Sequence, residues 1–267
     1  MRLDNHGAQF GAPVLWHRSL PRVRFGSRNQ SRVSDVSWDT DTLPEGDTKS
    51  AMVRAMFDAI APRYDMVNRI MTFRLDVRWR KRAVRELRLP RGSTVLDLAS
   101  GTGDLCVDLA KAGHKPLSMD LSFGMLSADR SGSPRAQSDI LQLPVANGAV
   151  DGAMCGFALR NLVDLDVFFR ELARVVRPGG RISLLDVGIP HRRVIRFGND
   201  IYFGKVVPRI GALLSDGAAY RYLPRSVSYL PPRDKLVQML RDAGFSDATH
   251  EQLSGGITQM MTGTRNP

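Results

Sequence analysis

The run Val95-Leu-Asp-Leu-Ala-Ser-Gly-Thr-Gly-Asp-Leu105 brings two glycines and two carboxylates together within a few residues. Gly101 and Gly103 have no Cβ, so the chain can turn sharply there and let a ligand approach the backbone closely. A dinucleotide fingerprint of the form G-x-G-x-x-G is one reading, but its third glycine position is Cys106. Asp97 and Asp104 also put negative charge where a pyrophosphate would lie. Carboxylates suit a ligand that carries positive charge and hydroxyls but no phosphate. S-adenosylmethionine, with a sulfonium, an ammonium and a ribose, is such a ligand. A further acid, Asp120, closes the next apolar run and is placed to accept ribose hydroxyls. The plainer reading is a tight strand-to-helix turn with no ligand at all.

These residues need a scaffold, and the hydrophobic pattern supplies one. Thr94 to Leu98 reads as a strand, Asp104 to Ala112 as a helix, and Pro116 to Met119 as a strand ending at Asp120. A helix from Phe123 to about Asp129, a buried strand from Ala149 to Cys155 and a helix from Val163 to Val176 continue the alternation. Pro178-Gly-Gly180 reads as the stop of that helix, and Ile182 to Val187 as the next strand. A repeating strand-helix order predicts an α/β fold, a doubly wound Rossmann-like parallel sheet with ligands at the carboxyl ends of its strands. The glycine turn, Asp120, Asp139 and Gly156 all fall at such ends. Beyond a helix from Arg233 to Ala243, the runs Ala248 to Leu253 and Ile257 to Thr262 flank Ser254-Gly-Gly256 and predict a C-terminal antiparallel hairpin.

The 267 residues suffice for one domain with additions. Two cysteines, Cys106 and Cys155, and five histidines show no metal-ligand or disulfide spacing, so no metal is expected. No apolar run reaches the roughly 20 residues that span a bilayer. The formal charge of +11 points either to an acidic partner surface or simply to solubility. Residues 1–47 lack periodicity and read as a disordered arm, with residues 48–267 as the folded domain and 48–90 as its N-terminal helices. Up to Ser34 the arm holds six arginines and one acid, a composition found in transit segments, but no amphipathic helix precedes Pro21. The expected location is therefore the bacterial cytoplasm, with mitochondrial targeting as the minority reading. Within the N-terminal helices, Met52, Met56, Phe57 and Ile60 share a face that Pro62 interrupts.

From about Met56 to Arg265 the chain resembles the quinone-biosynthesis C-methyltransferases, which methylate demethylmenaquinol or the polyprenyl benzoquinol of the ubiquinone route. Phe57-Asp-Ala-Ile-Ala-Pro-Arg-Tyr-Asp-Met-Val-Asn68 with Trp79, the Val95 to Leu105 loop, Phe157-Ala-Leu-Arg-Asn161 and Ala219-Tyr-Arg-Tyr-Leu223 followed by Ser226 carry the likeness. It implies S-adenosylmethionine as methyl donor on Gly101, Thr102, Gly103 and Asp120, with Asp139 and Ile140 at the adenine and Gly156 after the fourth strand. It implies a catalytic part for Arg160, opposing a developing phenolate or orienting a water that takes the proton. The plainer reading for Arg160 is a salt bridge to Asp164. Tyr64 and Asp65 stand where such enzymes close their N-terminal helices over the donor.

Departures gather on the substrate side. Asp76 stands where many members have His, Ala158 replaces Gly, Asp186-Val-Gly188 replaces Glu-Phe-Ser, and Thr258-Gln-Met-Met261 differs from a more apolar run. Residues 188–230 read as a substrate lid, and Pro190 to Leu214 mixes arginines with large apolar residues as an interfacial or a packed lid helix would. The expected partners are a polyprenyl quinol and, peripherally, an anionic membrane surface met through the 190s segment and the basic helix around Arg78 to Arg88, with a homodimer allowed and no nucleic acid. A methyltransferase acting on another lipid-like ring and a non-catalytic donor-binding partner are the alternatives.

Overall fold

The computed structural model describes residues 45–190, 202 and 226–267. The expected arm lies almost wholly outside the described residues, and so does most of the expected lid. Among the described residues three helices come first: α1 (Gly46–Ile60), α2 (Tyr64–Met71) and α3 (Leu75–Glu86). Pro62 sits in the short 3-10 turn that separates α1 from α2, because its ring cannot continue the α1 hydrogen-bond ladder. Then follow β1 (Thr94–Leu98), α4 (Asp104–Lys111), β2 (Lys115–Asp120), α5 (Phe123–Ala128), β3 (Arg135–Gln137) and β4 (Val150–Gly156). The chain continues with α6 (Leu165–Val175), β5 (Val176–Val187), α7 (Arg233–Asp242), β6 (Phe245–Leu253) and β7 (Thr258–Arg265).

The strands form one seven-stranded sheet in the order β3-β2-β1-β4-β5-β7-β6. β1 to β5 run parallel, while β7 lies antiparallel between β5 and β6. The order reverses between β1 and β4, so a crevice opens at their carboxyl ends. The central strands are buried on both faces, and the two-residue period sends neighbours to opposite sides. Leu96, Leu98, Ala153, Cys155, Ile182 and Leu184 join the core under α6 and α7 with Phe168, Phe169 and Leu240. Val95, Met154, Leu185 and Met260 pack under α3 and α4 with Trp79, Leu87 and Leu109.

Two local expectations are corrected. Pro178-Gly-Gly180 does not end α6; the helix stops at Val175, and Val176 is already extended and paired with Val150. The Pro-Gly-Gly residues form an irregularity inside β5, where pairing jumps from Val150–Val176 to Gly152–Arg181. β3 carried no periodic signal, being only Arg-Ala-Gln at the sheet edge. The C-terminal hairpin forms as expected, turning on Gly255 and Gly256 at φ of +73° and +100°.

Candidate active site

A cavity of about 290 Å³ lies at the carboxyl ends of the parallel strands. Its walls are the β1–α4 turn, Asp120 to Ser122 after β2, Asp139 to Leu141, Gly156 to Ala158 after β4, and the inner sides of α1 and α2. Of the residues expected at a donor, Gly101, Thr102, Asp120, Asp139, Ile140 and Gly156 all line it. Gly103 and Arg160 stand behind the wall.

The glycine turn is built around Asp120. One carboxylate oxygen accepts from Gly101 N–H at 2.8 Å and the other from Ser122 N–H at 2.8 Å. Burial raises the Asp120 pKa, an effect that the Ser122 and Gly101 N–H groups oppose. Gly101 takes φ of +57°, and a Cβ there would meet only Met125 Sδ at 3.9 Å, so the space belongs to the cavity. Gly103, at φ of +83°, precedes α4, and a Cβ on it would come within 2.3 Å of Asp129 Oδ1. Asp129 is itself fastened by Ser118 Oγ at 3.0 Å and Ser131 N–H at 2.6 Å. Only glycine fits. Ala99 and Phe157, also on the wall, adopt left-handed φ without being glycine; such strain gathers at ligand sites.

Asp97 is the most unusual group. It is fully buried at the end of β1 yet reaches the cavity wall. Cys106 Sγ donates to its Oδ2 at 3.3 Å, whereas Oδ1 has no hydrogen-bond partner. Burial pushes its pKa up to about 7, with the Cys106 thiol opposing and the Asp120 and Asp129 charges reinforcing the rise. A buried, partnerless carboxylate oxygen is costly unless a ligand completes it. Cationic and hydroxyl donors on S-adenosylmethionine fit this site.

The N-terminal helices close over the turn through polar clamps. Asp58 of α1 accepts from Ser122 Oγ at 2.5 Å and Gly124 N–H at 2.8 Å. Thr102 donates its hydroxyl to Asp65 of α2. Arg80 of α3 gathers Asp76 at 2.6 Å, Asp104 at 3.0 Å and Asp108 at 3.3 Å. Burial works against the Arg80 charge, but the three acids raise its pKa above the ordinary arginine value. Asp76 is thus paired one helical turn away, and it also accepts from Thr72 Oγ1 at 2.6 Å. Asp58 and Arg80 were not picked out from the sequence. Asp58 lies in the Phe57-to-Asn68 run, but no spacing rule connects it to Ser122.

Arg160 is buried in the 3-10 turn after β4. Its guanidinium pairs with Asp186 at the end of β5, and it donates to Phe157 O at 2.7 Å and Ser226 Oγ at 3.2 Å. The salt bridge to Asp164 does not form; Asp164 instead caps α6 by accepting from Val167 N–H at 2.9 Å. The neighbours Phe157, Ala158 and Asn161 face the cavity. Lys49 of α1 is bound to the same loop, donating to Leu162 O at 2.7 Å and lying 3.5 Å over the Tyr229 ring. Among the described residues no group of His, Cys, Asp or Glu is arranged to hold a metal ion.

Residues 45–265 match the model of the ubiE/COQ5 methyltransferase family. The ubiquinone/menaquinone biosynthesis C-methyltransferase UbiE of Syntrophotalea carbinolica is 39% identical over 80% of this chain and 94% of its own. A demethylmenaquinone methyltransferase of Roseiflexus castenholzii is 38% identical over 85% of this chain and 99% of its own. Among solved structures, a Thermotoga maritima methyltransferase, described as a possible histamine N-methyltransferase, covers 80% of this chain and 99% of its own with a TM-score of 0.58 at 17% identity. The phosphoethanolamine N-methyltransferase 2 of Haemonchus contortus, solved with S-adenosylmethionine, shares the fold at a TM-score of 0.51 and 13% identity, over 67% of this chain and 50% of its own.

Proposed function

Given that the chain belongs to the ubiE/COQ5 methyltransferase family, we propose that this S-adenosylmethionine-dependent enzyme of quinone biosynthesis methylates a ring carbon of a reduced polyprenyl quinone, demethylmenaquinol ahead of the benzoquinol of the ubiquinone route. One observation carries the reading. A single cavity joins the buried acids Asp97 and Asp120 to an apolar end formed by Val53, Phe57, Leu162 and Val163. The acidic end suits the donor and the apolar end suits a ring with a hydrocarbon tail. The preference for demethylmenaquinol follows the name of the Roseiflexus relative.

The donor supplies an electrophilic methyl group on sulfur. Asp97 and Asp120 would hold its cationic and hydroxyl parts, with Gly101, Thr102, Asp139, Ile140 and Gly156 lining the rest of the cavity around it. By holding the donor and the ring in one cavity, these residues would fix the orientation in which the two meet. Arg160 serves the reaction through its loop. By binding Asp186 and Phe157 O it sets the placement of Phe157, Ala158 and Asn161, and it is therefore a positioning residue. Because the quinol tail resides in lipid, the enzyme works peripherally at an anionic membrane face. No helix among the described residues is long and apolar enough to cross a membrane.

The test is to supply this gene to a strain lacking quinone methylation and to identify its lipid quinones by mass spectrometry. Recovery of the methylated menaquinone is expected. Unmethylated quinone alone, with the protein present and binding donor, overturns the substrate assignment.

A further inference from the structure

α2 has three sides. Val67 and Met71 enter the core, Tyr64, Asp65 and Asn68 line the cavity, and Met66 and Ile70 face solvent. The third side is a ridge of large apolar groups that continues into the next turn: Met66 is 48%, Ile70 44% and Phe73 74% exposed. Tyr202 lies against Phe73 at one end of it, with ring centroids 5.7 Å apart. Scattered exposed apolar residues are ordinary, but three gathered on one side of a helix and the turn that follows it are not.

Next to Phe73 begins a row of cations. Arg78, Lys81 and Arg85 recur every three or four residues and are all exposed, so they share the outer face of α3, and exposed Arg74 stands just before the helix begins. None of the four is within ion-pairing distance of an acid among the described residues. The acids of this stretch are withdrawn: Asp65 accepts from Thr102, and Asp76 is buried against Arg80. Every exposed residue from Pro62 to Arg85 is apolar or cationic.

We infer that this ridge and row are the face on which the enzyme docks to an anionic phospholipid bilayer, Met66, Ile70 and Phe73 entering the headgroup boundary and the α3 cations pairing with lipid phosphates. The inference rests on the reading of a bilayer-held quinol and adds the face that meets the lipid. Its consequence is positional. The helix that carries the ridge also forms a wall of the cavity, so docking brings the site to the surface where an apolar tail emerges. A strongly charged helix edge beside large apolar side chains is the pattern of interfacial binding, and charge complementarity selects the anionic leaflet.

The test uses the full chain and three proteins. The second is Met66→Ser/Ile70→Ser/Phe73→Ser, and the third is Arg78→Gln/Lys81→Gln/Arg85→Gln. All the replaced side chains are exposed, so folding is preserved, which circular dichroism checks. Each is sedimented with vesicles of mixed phosphatidylglycerol and phosphatidylcholine, and with phosphatidylcholine alone. The wild type should bind the anionic vesicles, release with rising salt and ignore the neutral ones. Loss of the cations should weaken partitioning about fivefold for each, on the order of a hundredfold for three. Loss of the ridge should weaken it at least tenfold while leaving methylation of a short-tailed, water-soluble quinol at the wild-type rate. Equal vesicle binding by the wild type and the ridge variant overturns the inference. So does a ridge variant that still binds lipid but changes from dimer to monomer in sedimentation equilibrium, which would assign the ridge to a second copy of the chain. If the wild type binds vesicles through this face yet methylates no quinol of any tail length, the substrate reading fails and the docking face stands.

Discussion

Asp97 lets the donor site be tested by pH alone. Its carboxyl is raised by burial from the ordinary 3.8 to about 7. In the ligand-free protein this works against stability. Below the unfolded value both states are protonated and there is no penalty. As pH rises from about 4 to about 7 the unfolded chain ionises first and stability is lost, on the order of 4 kcal/mol once the folded group is charged. A cationic donor reverses the balance because it favours the ionised form. If the ionised form alone binds, donor affinity should fall about eightfold between about pH 7.5 and about pH 6, with nearly one proton released per donor bound at the lower pH. Calorimetry in buffers of different ionisation enthalpy measures both quantities. Asp97→Asn keeps the shape and the Cys106 contact but removes the charge. It should flatten the pH response, weaken donor binding at neutral pH, and raise the melting temperature of the ligand-free protein above pH 7. A variant that melts lower than the wild type while binding donor with unchanged affinity and unchanged pH response would refute the argument, since Asp97 would then be only a packed core acid.

Other outcomes follow from the same geometry. Gly103→Ala should destabilise by roughly 3 kcal/mol in urea unfolding, from left-handed strain and displacement of Asp129 from its hydrogen bonds, and removing the Asp129 side chain as well should recover part of that loss. Arg160→Ala should cost about 3 to 5 kcal/mol because it leaves Asp186 buried without its partner; Arg160→Met/Asp186→Leu should regain stability without regaining turnover, and turnover restored in that double variant would remove Arg160 from the reaction altogether. Lys49, lowered to about 8 mainly by burial, costs stability while it is charged, so the difference between wild type and Lys49→Met should shift toward the wild type as pH rises from about 8 to about 10. Asp58→Ala should free α1 from the start of α5, and limited proteolysis should then cut α1 faster without donor than with it.

The sheet was readable in the chain because its information is local. β1, with its strand-turn-helix sequel, needs only a run of apolar residues, two glycines and an acid in order, and periodicity reports such patterns directly. The donor side of the site was readable for the same reason, since Gly101, Asp120, Asp139 and Gly156 each follow a strand and a parallel sheet gathers strand ends. The irregular start of β5 was not, because Val176 becomes a strand residue only through Val150 opposite it. Nor could spacing pair Arg160 with Asp186, which is 26 residues away, in preference to Asp164 only four residues on. The same holds for Asp58 beneath Ser122, 64 residues away, and for the three acids around Arg80. Residue types and spacing declare which groups can bind a cationic donor. Which charges are already neutralised, and which buried oxygen still lacks a partner, depends on side chains from distant segments and is decided only when tertiary packing brings them together.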